Sequence, residues 1–125
     1  MKSFVEKLLH TAYQMIFPTP DGYIQVMIRT ITYLEAFGDE IYMHLIDDDS
    51  KQLKLPLYQL EDMLKDYQFI RIGKSFIVNI VKIKTIKTSF NAKLLLELVD
   101  GTKLEVSRSY VKSFKLALGL LKKED

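Results

Sequence analysis

The 125-residue sequence predicts a mainly β fold, in which short antiparallel strands accompany one short internal helix and a helix at each end. Three observations lead to this prediction. Short apolar runs rich in β-branched and aromatic residues recur along the chain and are separated by turn sequences. These runs do not alternate with helices as βαβ units would, so a parallel sheet is not expected. Apolar residues repeat at helical spacing near the two ends and once near the middle.

The first half begins with an amphipathic helix predicted over residues 3–17, after which Pro18-Thr19-Pro20 breaks the chain. We therefore predict an N-terminal helical extension over residues 1–20 and a domain over residues 21–125. Strands are then predicted at 23–28, 31–37, 41–46 and 52–55. A helix opens at Pro56 and continues to about Asp66, because proline is favoured at the first position of a helix.

The second half is richer in strands, which are predicted at 69–72, 76–78, 80–88, 94–99 and 103–106. Asp100-Gly101 is a strong signal for a two-residue hairpin turn between the last two. A final helix follows, with Ser107 or Ser109 as its N-cap. Its apolar face is formed by Tyr110, Val111, Phe114, Leu118 and Leu121.

Composition excludes several classes of site. The chain has no cysteine, which rules out disulfides, thiolate metal sites and a cysteine nucleophile and fits a cytoplasmic location. The two histidines, His10 and His44, have no partner at metal-ligand or triad spacing. The acidic run 47–49 is typical of a solvated hairpin turn. Glu35 lies inside an apolar strand, where a strand-face or cross-strand ion-pair role is expected. We therefore expect no enzyme activity, no cofactor or metal, and no small-molecule substrate.

Charge is distributed unevenly along the chain. Residues 1–70 contain six Lys/Arg and eleven Asp/Glu, a net charge of −5, whereas residues 71–125 contain twelve and five, a net charge of +7. Such asymmetry points to an anionic partner for the second half. Solvated lysines on strands and on a terminal helix would produce the same count, so charge alone leaves the matter open.

Two short basic, hydroxyl-bearing patches interrupt apolar runs in the second half. Gly73-Lys74-Ser75 follows Ile72, and Ser107-Arg108-Ser109 follows Val106. Lysine offers three hydrogen-bond donors, and arginine offers a planar fork that fits a guanine edge or a phosphate. A hairpin bend and a helix cap with an exposed arginine are the alternative interpretations of these two patches.

In their order along the chain, these patches resemble the LytTR family of bacterial DNA-binding domains, from about Gly22 to Leu120. The resemblance is carried by the segments 31–36, 57–64, 69–79, 98–101 and 106–110, with Ile83 and Ile86. It implies an elongated, mainly β domain that binds promoter DNA through loops in successive major grooves. The positions at which family members contact DNA correspond here to three places: the loop around Asp39, Glu40 and Tyr42; the patch Gly73, Lys74 and Ser75; and Arg108. Ser107 and Ser109 would assist by binding phosphates. Where this chain has Gly73-Lys74, the family often has His-Arg or His-Asn, so phosphate contact is favoured for Lys74.

Many family members carry a receiver domain, for which the roughly twenty preceding residues are too few, so the resemblance implies a stand-alone member. The resemblance then implies control by a partner, often a membrane protein. The predicted helix 3–17 is the segment on which such a partner would dock. A homodimer on direct-repeat DNA sites is an alternative that stays open. The sequence therefore predicts a cytoplasmic, sequence-specific regulator of transcription that binds double-stranded DNA. The alternative is a protein-interaction module or membrane-partnered adaptor with the same fold and no DNA binding.

Overall fold

The computed structural model describes residues 13–121, and this part of the chain confirms the mainly β fold. Its ten strands are Gln14–Thr19 (β1), Gly22–Met27 (β2), Ile31–Phe37 (β3), Glu40–Leu45 (β4), Lys51–Leu53 (β5), Phe69–Gly73 (β6), Phe76–Asn79 (β7), Ile83–Thr88 (β8), Leu94–Leu98 (β9) and Lys103–Val106 (β10). Its α-helices are Leu57–Leu64 (α1) and Val111–Ala117 (α2), and its 3-10 turns are Ile28–Thr30, Lys65–Tyr67, Ile80–Lys82, Phe90–Ala92 and Arg108–Tyr110. Neither α-helix is long and apolar enough to cross a membrane.

The strands form three sheets, and every pairing among them is antiparallel, as the order of the elements predicts. A central sheet has the order β5-β4-β3-β7-β6, β1 pairs with β2, and a third sheet has the order β10-β9-β8. Strand β3 has the predicted bounds, and β5 pairs back on β4 as the predicted hairpin. The β9–β10 connection differs from the two-residue prediction, because Leu98 N donates to Thr102 O at 2.8 Å and leaves a three-residue loop.

The central sheet separates two hydrophobic cores, because successive side chains of a strand point to opposite faces. Leu34 lies in the first core with residues of β1, β2 and α1, whereas its neighbour Tyr33 packs against the second core, which the third sheet and α2 complete. The first core contains Phe17, Val26, Ile28, Ile31, Leu34, Met43, Leu53, Leu57, Leu60, Leu64, Phe69 and Ile77. The second contains Ile72, Val78, Leu94, Leu96, Leu98, Leu104, Val106 and Phe114. Each such buried side chain stabilises the fold by about 1.5–3 kcal/mol relative to its exposed state.

The predicted N-terminal helix is wrong for residues 14–17, which belong to strand β1. Ile16 is exposed while Phe17 is fully buried, which is the alternation of a strand, and β1 pairs with β2 from Gln14 to Thr19. Pro18 does not end the element, since a proline is tolerated at a sheet edge and its carbonyl oxygen accepts from Lys54 N at 2.8 Å. Pairing with β2 therefore outweighs the helical spacing of the apolar residues. Residues 3–12 of the predicted helix, including His10, lie outside the described residues, and the domain division at residue 20 stays a prediction.

The C-terminal helix is shorter than predicted and is capped differently. The 3-10 turn Arg108–Tyr110 precedes α2, and neither Ser107 nor Ser109 caps a helix through its side chain. Phe114 is fully buried and fixes α2 to the second core. The helix ends in a Schellman motif, in which Leu120 N donates to Lys115 O at 2.8 Å and Gly119 has a φ of 73°. Leu121 therefore lies beyond the helix.

Candidate nucleic-acid interface

The two basic patches found in the sequence are in direct contact in the structure. Ser107 N donates to Ile72 O at 2.9 Å, which joins the chain after β10 to the end of β6. Gly73 lies so close that a Cβ atom placed on it would be 3.1 Å from Ser107 Oγ. Residues separated by more than thirty positions in sequence therefore form one continuous surface, in which the 73–75 turn adjoins the 107–109 segment.

The β3–β4 turn lies at the same end of the central sheet. Strands β3 and β7 are antiparallel with Glu35 opposite Phe76, and Ala36 N donates to Ser75 O at 2.9 Å. The chain leaves β3 immediately afterwards through Gly38 and Asp39. All three predicted contact regions thus meet at one end of the sheet. We call this end the loop surface and define it as residues 37–40, 73–75 and 107–109.

The cations of the loop surface face solvent without a protein counter-charge. The side chains of Lys74 and Arg108 are exposed and have no hydrogen-bond or ion-pair partner among residues 13–121. Some other cations are engaged, since Lys65 pairs with Asp62 at 2.9 Å and Lys93 with Glu105 at 3.2 Å, whereas further exposed lysines of the described residues also have no such partner. The loop surface therefore presents two cations that are available to an external anion.

Hydroxyl groups accompany these cations at different depths. Ser109 is exposed, whereas Ser75 and Ser107 are half-buried. Lys112 follows Arg108 by four residues in the same helical segment, so the two exposed cations lie about one turn apart. Lys84 and Lys87 are also exposed, but they lie on β8, at the edge of the third sheet opposite β10. Of these three lysines, Lys112 is the one that extends the charge of the 107–109 segment.

The β3–β4 turn gives the loop surface an acidic side. Asp39 and Glu40 are exposed, and the Tyr42 hydroxyl donates to Glu40 Oε2. This hydrogen bond is the main reason why the pKa of Tyr42 is raised, with smaller contributions from burial and from the charges of Glu40 and Glu35. Phe37, which the sequence did not single out, is 73% exposed beside this turn. The turn thus combines two carboxylates, a phenol that holds one of them, and an exposed aromatic ring.

Arg71 is the residue of this region whose role the sequence did not reveal. Its Nε donates to Gly73 O at 2.8 Å, its Nη2 donates to Lys74 O, and its Nη1 donates to Glu61 Oε1 of α1 at 2.9 Å. The guanidinium therefore holds the backbone of the 73–75 turn. A cation inside the apolar run Ile70-Arg71-Ile72 was the available signal, since a charge at such a position requires a partner.

Glu35 makes a contact across strands, as the sequence predicted, and its partner is His44 of β4. Its Oε1 lies 2.7 Å from His44 Nε2, and Ser50 Oγ lies 2.7 Å from His44 Nδ1. The His44 ring stacks on Tyr33 with centroids 4.1 Å apart and an interplanar angle of 11°. Both ring nitrogens and one ring face are thus occupied, and sequence spacing alone did not reveal these partners of His44. Among the described residues, no group of three His, Cys, Asp or Glu is arranged to hold a metal ion.

Comparison with known proteins identifies relatives of this arrangement. The family model for the LytTr DNA-binding domain matches residues 21–119. A solved LytTr DNA-binding domain from Bacillus cereus superposes with a TM-score of 0.75 at 33% identity, covering 85% of this chain and 96% of that one. The transcriptional regulatory protein LytR of Staphylococcus aureus (strain N315) is 41% identical over 66 residues, which are 53% of this chain and 27% of that protein. The sensory transduction protein LytT of Enterococcus faecalis is 38% identical over 88 residues, 70% of this chain and 36% of that protein. The chain thus spans well under half the length of these two relatives.

Proposed function

Since this chain belongs to the LytTr DNA-binding domain family, we propose that it binds double-stranded DNA sequence-specifically and regulates transcription. The observation that carries the proposal is the meeting of three loops at one end of the central sheet, with Lys74 and Arg108 exposed and without a protein partner among residues 13–121. Such a surface suits a polyanion better than it suits a small substrate, because its cations are spread over separate loops rather than gathered in a pocket.

The two cations have different roles in the proposed complex. Lys74 is a point donor on a turn and binds phosphate, which fixes the position of the protein but reads no sequence. Arg108 carries a planar fork, which matches the O6 and N7 acceptors of guanine in the major groove. Ser75, Ser107 and Ser109 donate hydroxyl hydrogen bonds to nearby phosphates. In this mechanism the loops, rather than a recognition helix, enter successive major grooves.

The acidic turn contributes to selectivity rather than to attraction. The carboxylates of Asp39 and Glu40 repel phosphates, so they reduce the affinity for a backbone that approaches the turn. A carboxylate can accept a hydrogen bond from the N4 amino group of cytosine, which gives these residues a role at base edges. The hydroxyl of Tyr42 holds Glu40 and limits the directions in which that carboxylate can point.

The remaining parts of the proposal concern partners. A homodimer on direct-repeat sites, a cytoplasmic location and control by a membrane protein or other partner follow from the resemblance described above. The predicted docking element was the helix 3–17, of which residues 14–17 belong to β1, so the proposed docking element is the part of this segment that precedes β1. One observation favours a second candidate, a protein-interaction module without DNA binding. Asp39 and Glu40 place two exposed carboxylates on the loop surface, where they oppose contact with a phosphate backbone.

The experiment that separates these candidates is fluorescence anisotropy with labelled duplexes over a series of salt concentrations. The duplex upstream of the protein's own gene is compared with a scrambled duplex of the same composition. Preferred binding to the native duplex, with affinity that falls steeply as salt rises, supports the proposal, because the slope counts the neutralised phosphates. Equal, weak binding calls for selection of a target from random duplexes. No binding to any duplex at low salt rejects DNA binding and favours the interaction module.

A further inference from the structure

We propose that Arg71 and Glu61 form a positioning pair that sets the backbone of the 73–75 turn for contact with DNA. The inference rests on the DNA-binding function proposed above. The guanidinium of Arg71 donates hydrogen bonds to three residues. It binds the carbonyl oxygens of Gly73 and Lys74 and the carboxylate of Glu61. Its side chain is 18% exposed, so the guanidinium lies beneath the turn rather than on the loop surface.

The direction of these bonds determines what the turn presents to a ligand. A carbonyl oxygen carries partial negative charge and would repel a phosphate that approached it. Arg71 holds the carbonyl oxygens of Gly73 and Lys74, while the ammonium-bearing side chain of Lys74 is exposed. Arg71, a half-buried cation, therefore occupies the carbonyl groups of the turn that would repel a phosphate and leaves the attracting ammonium group of Lys74 exposed.

Glu61 gives this arrangement a fixed anchor. It belongs to α1, whose residues Leu57, Leu60 and Leu64 are buried in the first core. The helix therefore cannot shift easily, and the carboxylate holds the guanidinium at 2.9 Å. Through this ion pair, the position of the 73–75 turn is tied to α1 as well as to its own strands.

Other contacts hold the turn through the main chain. Ala36 N binds Ser75 O at 2.9 Å, and Ser107 N binds Ile72 O at 2.9 Å. Both are backbone hydrogen bonds, which a substitution does not remove. Within residues 13–121, Arg71 is the side chain that binds the carbonyl oxygens of the turn, so its replacement isolates the effect of positioning.

The test uses the whole chain with two variants and one control. Arg71→Lys keeps the positive charge but loses the planar fork, and Glu61→Gln keeps an acceptor oxygen but loses the charge of the anchor. Asp62→Asn is the matched control, because Asp62 lies next to Glu61 and its 2.9 Å ion pair with Lys65 is on the exposed face of α1. If Arg71→Lys fails to fold, Glu61→Gln carries the test.

The first readout needs no DNA. In ¹H–¹⁵N NMR spectra, we expect the amides of Gly73, Lys74 and Ser75 to shift and to exchange with solvent faster in Arg71→Lys and Glu61→Gln. The amides of the central β3 strand and the thermal midpoint should stay near those of the wild type, and Asp62→Asn should leave the 73–75 amides unchanged. Unchanged 73–75 amides in both variants would overturn the proposal, and so would a general loss of structure in Glu61→Gln.

The second readout is the salt dependence of DNA binding. Arg71→Lys should weaken binding about twofold or more and flatten the salt slope, because a misplaced Lys74 loses its phosphate. In a Lys74→Ala background, Arg71→Lys should have little further effect, since the contact it positions is already absent. Equal losses in both backgrounds would show that Arg71 binds DNA independently and would overturn the positioning role. If the wild type binds no DNA, the proposed function fails, while the NMR readout still decides whether the pair orders the turn.

Discussion

The contact between Gly73 and Ser107 offers a direct test of how the two basic patches meet. Gly73→Ala would place a Cβ atom 3.1 Å from Ser107 Oγ, closer than an ordinary van der Waals contact. Ser107 must then turn its side chain away, and a side chain held about 30° off its rotamer costs about 0.5–1.5 kcal/mol. A change in stability at position 73 should therefore depend on the residue at position 107.

The expected magnitude follows from two opposing effects. The φ of Gly73 lies outside the left-handed region, so alanine fits the backbone and should stabilise by about 0.4–1 kcal/mol through the unfolded chain. In the wild-type background, the stabilisation by alanine and the cost of moving the Ser107 side chain nearly cancel. In a Ser107→Ala background the hydroxyl is absent, so Gly73→Ala should show only the stabilisation. The coupling free energy between the two sites should be about 0.5–1.5 kcal/mol.

The assay is equilibrium urea unfolding of the wild type, the two single variants and the double variant without DNA. Ser109→Ala serves as the control background, because this neighbouring serine is exposed and no Cβ at position 73 would meet it. Gly73→Ala should be additive with that control. A coupling with Ser107→Ala of less than about 0.3 kcal/mol, within the scatter of independent sites, would refute the contact.

Four further predictions concern binding and stability. Arg108→Ala should weaken binding to the cognate duplex by about 1–3 kcal/mol in anisotropy titrations, and an unchanged affinity would contradict the proposed base contact. Lys74→Ala should weaken binding to all sequences alike and reduce the salt slope by about one, whereas a loss confined to one sequence would contradict a phosphate contact. Phe114→Ala should lower the free energy of unfolding by about 3–5 kcal/mol, because the ring is fully buried; a loss below about 1 kcal/mol in urea unfolding would show that α2 does not depend on it. Burial raises the pKa of the Tyr33 hydroxyl, and the charges of Glu35 and Asp100 raise it further. Because the folded protein favours the protonated phenol, Tyr33 contributes its full stability below about pH 10, the pKa of the unfolded chain. This stability is lost as the pH rises through the raised pKa of the folded state. Tyr33→Phe should therefore lose less stability than the wild type as the pH rises above about 10 in urea unfolding, and an equal loss would contradict this assignment.

The sequence predicted the central part of the fold because its signals there are local. The alternation of Tyr33, Leu34 and Glu35 and the turn at Gly38 indicate a strand and a hairpin without any knowledge of the partner. The prediction of a helix at residues 14–17 was wrong because Ile16 and Phe17 fit the apolar face of a helix as well as they fit a strand. Only the pairing of β1 with β2, which depends on residues further along the chain, decides for the strand.

The candidate site was predictable in its residue types but not in its assembly. Lys74 and Arg108 could be selected because cations and hydroxyls interrupt apolar runs. That Gly73 touches Ser107 depends on how the third sheet packs against the central one, which no local pattern specifies. The role of Arg71 was hidden for a different reason. Two of its partners are backbone carbonyl oxygens, which every residue carries and no sequence distinguishes.

The two cores share the strands that separate them, and this has a consequence for cooperativity. Strand β6 gives Phe69 to one core and Ile72 to the other, and β7 divides Ile77 and Val78 in the same way. Removal of the third sheet and α2 would leave Ile72 and Val78 uncovered on a sheet whose opposite face is still packed. A fragment that ends after β7 should therefore aggregate rather than persist as half a domain. The loop surface joins turns of this shared sheet to the segment after β10, so its two cations can hold their relative positions only while the third sheet stays packed against the central one.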